Sequence, residues 1–185
     1  LIKTGPTTAG RYELSGHKLI DMRHEQRYSD PFSQEHFIFN STFELVDIPL
    51  CHVASKTVNM PAAGLAVFAT PGGYGPTRNF TVDLNCEVNA GRVKYYVEPV
   101  GETTSVDRAR GIVDVQGGAK GVGLQLLDGT GNPIALGVSK YFGTSSADGP
   151  RSETFGARYI RTAANAGDVQ VGQANATVRY RIDYP

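Results

Sequence analysis

From Phe37 to Tyr184 the sequence is divided into short runs in which apolar residues recur at every second position. Phe80, Val82, Leu84 and Cys86 do so within FTVDLNC. Val178, Tyr180, Ile182 and Tyr184 do so near the end, with Thr177, Arg179, Arg181 and Asp183 on the opposite face. Successive side chains of an extended chain point to opposite sides of a sheet, so a period of two predicts a half-buried β-strand. Further runs occupy Phe37–Cys51, 93–100 (VKYYVEPV), 111–115 (GIVDV), 153–162 (ETFGARYIRT) and 174–184. The stretch 121–137 reads as two short strands around the turn DGTGN, and VNMPAAGLAVFATPGGYGP as a loose strand ending in a Gly/Pro turn. No stretch shows a convincing helix. Strands spaced this closely, with 22 Gly and 10 Pro to turn the chain between them, predict an all-β sandwich. Residues 1–36 lack a clear period beyond a short strand in YELSGHKLIDM and read as a linker or N-terminal segment, with the folded domain spanning 37–185.

Lys and Arg balance Asp and Glu at 18 each, so no net field draws the chain to nucleic acid or an anionic membrane. No apolar run reaches the roughly 18 residues of a membrane-spanning helix. The start at Leu-Ile-Lys, without Met or a signal pattern, suggests a mature or excised piece of a longer precursor. Cys51 and Cys86 are an even pair without the CxxC spacing of zinc or redox sites, which favours a structural disulfide and an oxidising compartment.

Chemistry-bearing motifs are few. His17, His24, His36 and His52 are scattered and form no HExxH pattern, and DGTGN has too few following carboxylates for a calcium loop. No GxSxG elbow accompanies any serine. The expectation is a protein that is not an enzyme and that needs neither cofactor nor metal. Asn40, Asn79 and Asn175 stand in N-x-S/T sequons, which would mark glycans in a eukaryotic secreted protein.

Four features together resemble the pilin domains of the bacterial chaperone–usher pathway, across about residues 37–185. A cysteine ending the first strand is matched by one closing FTVDLNC. AKGVGLQLLDGTGNPIALG is similar to the family's A-x-G-V-G-[IL]-Q-[IL] hairpin, and ETFGARYIRT to its F-x-A-x-Y strand. Tyr184 is penultimate and Gly172 stands fourteenth from the end, as in the family's C-terminal signature. LIKTGPTTAG further resembles the junction of two-domain tip adhesins, which would place a receptor-binding domain ahead of this chain.

The resemblance implies an incomplete immunoglobulin-like sandwich of six strands whose seventh is supplied in trans. The groove so left would be walled by the first strand, Phe43 to Val53, through Phe43, Leu45, Leu50 and Val53, and by the last strand through Val178, Tyr180, Ile182 and Tyr184. A periplasmic chaperone would fill it first and an adjacent fimbrial subunit later, with an usher directing assembly. Gly172, Tyr184 and the Pro185 carboxylate would form the chaperone-recognised C-terminus. The implied role is a fimbrial adhesion subunit at the cell surface, reached through the periplasm. In the tip-adhesin form, this chain joins a receptor-binding domain, which contacts the host, to the fibre. The alternatives are an ordinary subunit that also donates its own N-terminal strand, and a receptor- or glycan-binding module.

Overall fold

A computed structural model describes residues 8–23, 34–45, 50–87, 90–143 and 149–183. The chain divides into two compact units, Leu1–Ile48 and Pro49–Pro185.

The first unit is an antiparallel hairpin of β1 (Gly10–Arg23) and β2 (Gln34–Leu45). Its register shifts twice, between Leu14 and His17 and between Lys18 and Ile20, and both times the extra residue lies in β1. These bulges explain why residues 10–23 show no clean alternation in the sequence: each inserted residue reverses the phase. The short strand expected in YELSGHKLIDM is present and extends to fourteen residues.

The second unit carries two sheets. The larger has the order β3-β4-β10-β8-β7-β6, formed by Cys51–Val53, Arg78–Cys86, Gly149–Arg161, Val122–Asp128, Ile112–Val113 and Ser105–Asp107 respectively. The smaller has the order β11-β5-β9, formed by Val178–Asp183, Lys94–Pro99 and Lys140–Tyr141. The expected sandwich is present, and its core is built from the inward phase of each strand. Leu84, Val97, Leu126, Ile134 and Phe155 are almost fully buried. Phe155 meets the rings of Tyr95 at 5.5 Å and Tyr180 at 4.9 Å. Ring contacts of this kind contribute about 0.5–1.5 kcal/mol each beyond area burial.

Three expectations change in detail. Of the first strand expected from Phe43 to Val53, residues 46–49 lie outside the described residues; β2 ends at Leu45, opposite Gly10 where its partner begins, and β3 starts at Cys51. The stretch around LAVF forms a 3-10 turn, Leu65–Phe68, in place of a loose strand. The DGTGN turn is built on Asp128, whose Oδ1 accepts from the Thr130 N–H, the Thr130 hydroxyl and the Asn132 N–H. Beyond it the second strand shortens to a bridge between Leu127 and Pro133.

Candidate functional site: an open edge beside the C-terminal strand

Among the described residues the smaller sheet has three strands and the larger six, and the contacts between them show which strands face each other. Lys140 Nζ stands 3.7 Å from Asp128 Oδ2, which sets β9 over β8. The Tyr180 ring against Phe155 sets β11 over β10. Continuing across the larger sheet in the same direction leads to β4 and then β3. Among the described residues, no strand of the smaller sheet lies beyond β11 to face them.

The consequence is visible strand by strand. On β5, central in its sheet, the inward residues Tyr95 and Val97 are 1% and 0% exposed. On β11 the inward residues Val178, Tyr180 and Ile182 are packed against the core but only half-buried. The ladder Val178↔Pro99 to Asp183↔Lys94 satisfies one edge of β11. Its other edge has no strand partner among the described residues. Across the gap, Val82, Leu84 and Cys86 of β4 are buried and Val53 on β3 is 40% exposed, whereas Leu50, which alternates with Cys51 and Val53, is 47% exposed on the other phase. Met60 and Phe80 on the same side are partly buried.

Cys51 and Cys86 are joined as a disulfide, directly opposite each other in the β3–β4 ladder. Leu50 is tied to the same corner, its N–H donating to Glu87 Oε2 at 2.9 Å. Phe43 and Leu45 belong to the hairpin unit, where the Phe43 ring stacks on Tyr12 at 5.4 Å. Tyr184 and Pro185 lie outside the described residues.

Gly172 occupies a backbone crossing. The segment ahead of β11 is laced to residues 116–120 by bridges Gln116↔Asn175, Gly118↔Gln173 and Lys120↔Gln170. A Cβ on Gly172 would stand 2.4 Å from Ala119 N and 2.5 Å from the Gly118 carbonyl carbon. Only glycine lets the two backbones approach so closely. The strand expected over 174–184 accordingly begins only at Val178, once the chain has left this crossing.

Two charged residues that the sequence reading passed over lie on the inner face of β10. Arg151 and Glu153 share the phase of Phe155, Ala157 and Tyr159, and both are half-buried. Glu153 Oε2 accepts from the Gly143 N–H at 2.8 Å. Burial pushes its carboxyl above the usual range, with help from Asp128 and against that hydrogen bond and Lys140. Arg151 lies opposite Leu84, which in turn faces Val53. All three nitrogens of its guanidinium are buried without a hydrogen-bond partner among the described residues, as is the Tyr180 hydroxyl. Burial, with smaller contributions from Tyr95 and Glu153, pushes the Tyr180 hydroxyl well above the ordinary phenol value. Arg161, by contrast, is well supplied with acceptors: its guanidinium donates to the carbonyls of Phe68, Ala69, Ala163 and Ala164, clamping the 3-10 turn to β10.

The sequence matches the family model for fimbrial proteins over residues 41–185. This chain belongs to the fimbrial protein family. It is a structural subunit of a fimbrium at the bacterial cell surface. Among solved structures it is similar to the Burkholderia pseudomallei antigen and type I fimbria protein BPSL1626, at 26% identity and TM-score 0.52, covering 96% of this chain and 99% of that one. The P pilus rod subunit PapA shares the fold at 16% identity and TM-score 0.58, over 73% of this chain and 99% of that one. The CupB6 tip adhesin from Pseudomonas aeruginosa also shares it, at 19% identity and TM-score 0.55, over 66% of this chain; the fimbrial chain spans only 35% of that adhesin. A search of curated proteins gave no match. No helix among the described residues is long and apolar enough to cross a membrane.

Proposed function

We propose that this fimbrial subunit is built one strand short, and that the open edge of β11 accepts a strand from another polypeptide: a chaperone before assembly and an adjacent subunit within the fibre. The observation that carries this reading is the contrast between β5 and β11. Inward residues of the one are sealed, whereas Val178, Tyr180 and Ile182 of the other are half-buried along an edge with no strand partner among the described residues. A free edge flanked by apolar side chains invites strand addition, in which main-chain hydrogen bonds supply affinity and alternate side chains supply specificity. Burying about five apolar side chains of an incoming strand would contribute on the order of 8–15 kcal/mol gross, comparable to the stability of a whole domain.

Coverage of the whole length of BPSL1626, including the region of the hairpin, supports the reading as an ordinary subunit that accepts a strand and offers one. The tip-adhesin reading, with a host receptor bound by a preceding domain, rests on the junction-like LIKTGPTTAG and on the shared fold of CupB6. In either form Tyr184 and the Pro185 carboxylate would be the end presented to the chaperone, and an usher would pass the subunit on.

The purified full chain, incubated at rising concentration, is expected to give a ladder of oligomers on a non-denaturing gel, and the β11 amides that do not face β5 should gain hydrogen-exchange protection in the oligomers. A chain that stays monomeric throughout, with those amides already protected, refutes the missing strand.

A further inference from the structure

The outer face of the smaller sheet gathers positive charge in a chain whose formal net charge is 0. Arg179 and Arg181 lie on β11, Lys94 lies on β5, and Arg92 stands two residues ahead of Lys94. All four are exposed, while the residues between them, Val93 and Tyr180, belong to the core phase or pack against it. Only two carboxylates share this face, Glu98 and Asp183.

Neither carboxylate neutralises the cations. The ladder sets Arg179 opposite Glu98 and Lys94 opposite Asp183, yet among the described residues neither couple forms an ion pair. Asp183 Oδ2 accepts instead from the Tyr96 hydroxyl at 3.1 Å. Arg92 and Lys94 are drawn to a single ring. The Arg92 guanidinium stands 3.9 Å from the centre of Tyr141 and Lys94 Nζ stands 5.3 Å from it. Stacking engages the flat side of a guanidinium and leaves its N–H edge free to grip an oxyanion with two parallel bonds. Like charges held side by side repel, and an anion placed between them relieves the repulsion.

The register gives the stripe its length. Arg179 and Arg181 are next but one on a strand, about 6.6–6.8 Å apart. Arg181 pairs with Tyr96, so Lys94 is its diagonal neighbour, about 7–8 Å away. Continued to Arg92, the cations mark a line on the order of 20 Å long across the sheet. A line of weak, exposed charges holds a point anion poorly in competition with water. It holds a linear polyanion well, because each contact after the first is made within one complex.

The side chains also choose among polyanions. Single-stranded nucleic acid needs open aromatic faces on which bases stack, but Arg92 already covers the Tyr141 ring and Tyr96 is half-buried. An anionic membrane needs apolar side chains to enter the acyl boundary, and this face presents charges and tyrosines only. A saccharide chain needs neither, and a fimbrial subunit at the cell surface is exposed to acidic glycans. We propose that the outer face of the smaller sheet binds a linear acidic polysaccharide, with Arg92, Lys94, Arg179 and Arg181 gripping the acidic groups of successive sugars. The site is independent of the open edge, since a strand added to β11 lies beside this face and not over it.

The test uses the full chain and an immobilised heparin-derived oligosaccharide, with neutral dextran beside it, read by surface plasmon resonance. The oligosaccharide is expected to bind, dextran not to bind, and the affinity to fall steeply between about 50 and 200 mM salt as counterions are released. The Arg179→Gln/Arg181→Gln and Arg92→Gln/Lys94→Gln double variants should each weaken binding roughly 3–30-fold while keeping the parent's urea midpoint. Arg78→Gln, an exposed cation on β4 of the other sheet, is the control and should bind as the parent does. Binding no better than to dextran overturns the proposal, and so do double variants that match the Arg78→Gln control. Thymidine oligonucleotides or phosphatidylglycerol vesicles that bind as tightly, and lose affinity in the same double variants, overturn the assignment to a saccharide.

Discussion

Replacing Gly172 by alanine isolates how much of this glycine's role is backbone packing. Its Cβ would stand 2.4 Å from Ala119 N, 2.5 Å from the Gly118 carbonyl carbon and 2.9 Å from the Gly118 carbonyl oxygen. All three atoms are main chain, so no side chain can rotate away, and the two segments must part by about an ångström to reach ordinary contact. That movement falls on the hydrogen bonds Ala119 N–H to Gln173 O at 3.0 Å and Gln170 N–H to Lys120 O at 3.0 Å. Stretched by an ångström, neither remains a hydrogen bond. Overpacking of this kind costs about 1–3 kcal/mol, and one or two lost hydrogen bonds add about 0.5–1.5 kcal/mol each. We expect a loss of about 2–4 kcal/mol in urea unfolding, followed by tyrosine near-UV circular dichroism because the chain has nine Tyr and no Trp. Gly167, around which a Cβ would meet nothing within 4 Å, is the control; Gly167→Ala should stay within about 0.5 kcal/mol of the parent. If Gly172→Ala unfolds at the parent's midpoint yet fails to assemble, the packing argument is wrong and recognition by a partner is what holds this position.

Two other perturbations address the frame around the gap. Cys51 and Cys86 close a loop 35 residues apart in sequence, and the Cys51→Ser/Cys86→Ser double variant should lose about 3–4 kcal/mol in the same urea assay; an unchanged midpoint would show that β3 is held by its ladder alone. Glu153 keeps its proton more readily in the folded chain than in the unfolded one, chiefly through burial, so folding stability should fall as pH rises from the ordinary carboxylate range through its raised value. Asp128 works in the opposite sense, because although burial pushes it up, the bonds from Thr130 and Asn132 and the nearby Lys140 lower it further. The comparison is therefore between Glu153→Gln and the parent: urea midpoints from about pH 4 to pH 7 should diverge in favour of the variant as pH rises, and parallel profiles would contradict the assignment.

How far the sequence could be read depends on where the period of two survives. The strands Arg78–Cys86 and Val178–Asp183 were legible because each keeps one phase toward the core, whereas Gly149–Arg161 was read only from 153 onward, its first four residues falling in the polar, Gly/Pro-containing run expected to be a loop. The strand Gly10–Arg23 was legible only as a short strand in YELSGHKLIDM, because two bulges invert its phase and hide its full length. The division of the next run between two ladders was hidden: Phe43, Leu45 and the residues up to Cys51 keep enough apolar character to read as one strand, although ladders in two different units claim its two ends. The shortening of the last strand was hidden too, since Gly172 fits a C-terminal signature as well as it fits a crossing with Gly118 and Ala119. The most informative sign, charge in the buried phase, was present in the sequence without being used. Arg151 and Glu153 are in step with Phe155, Ala157 and Tyr159; Glu153 finds the Gly143 N–H within its own fold, whereas the Arg151 guanidinium has no acceptor among the described residues. A buried cation without an acceptor is costly, so charge in an otherwise apolar inward phase is the sign in such a sequence that repays attention.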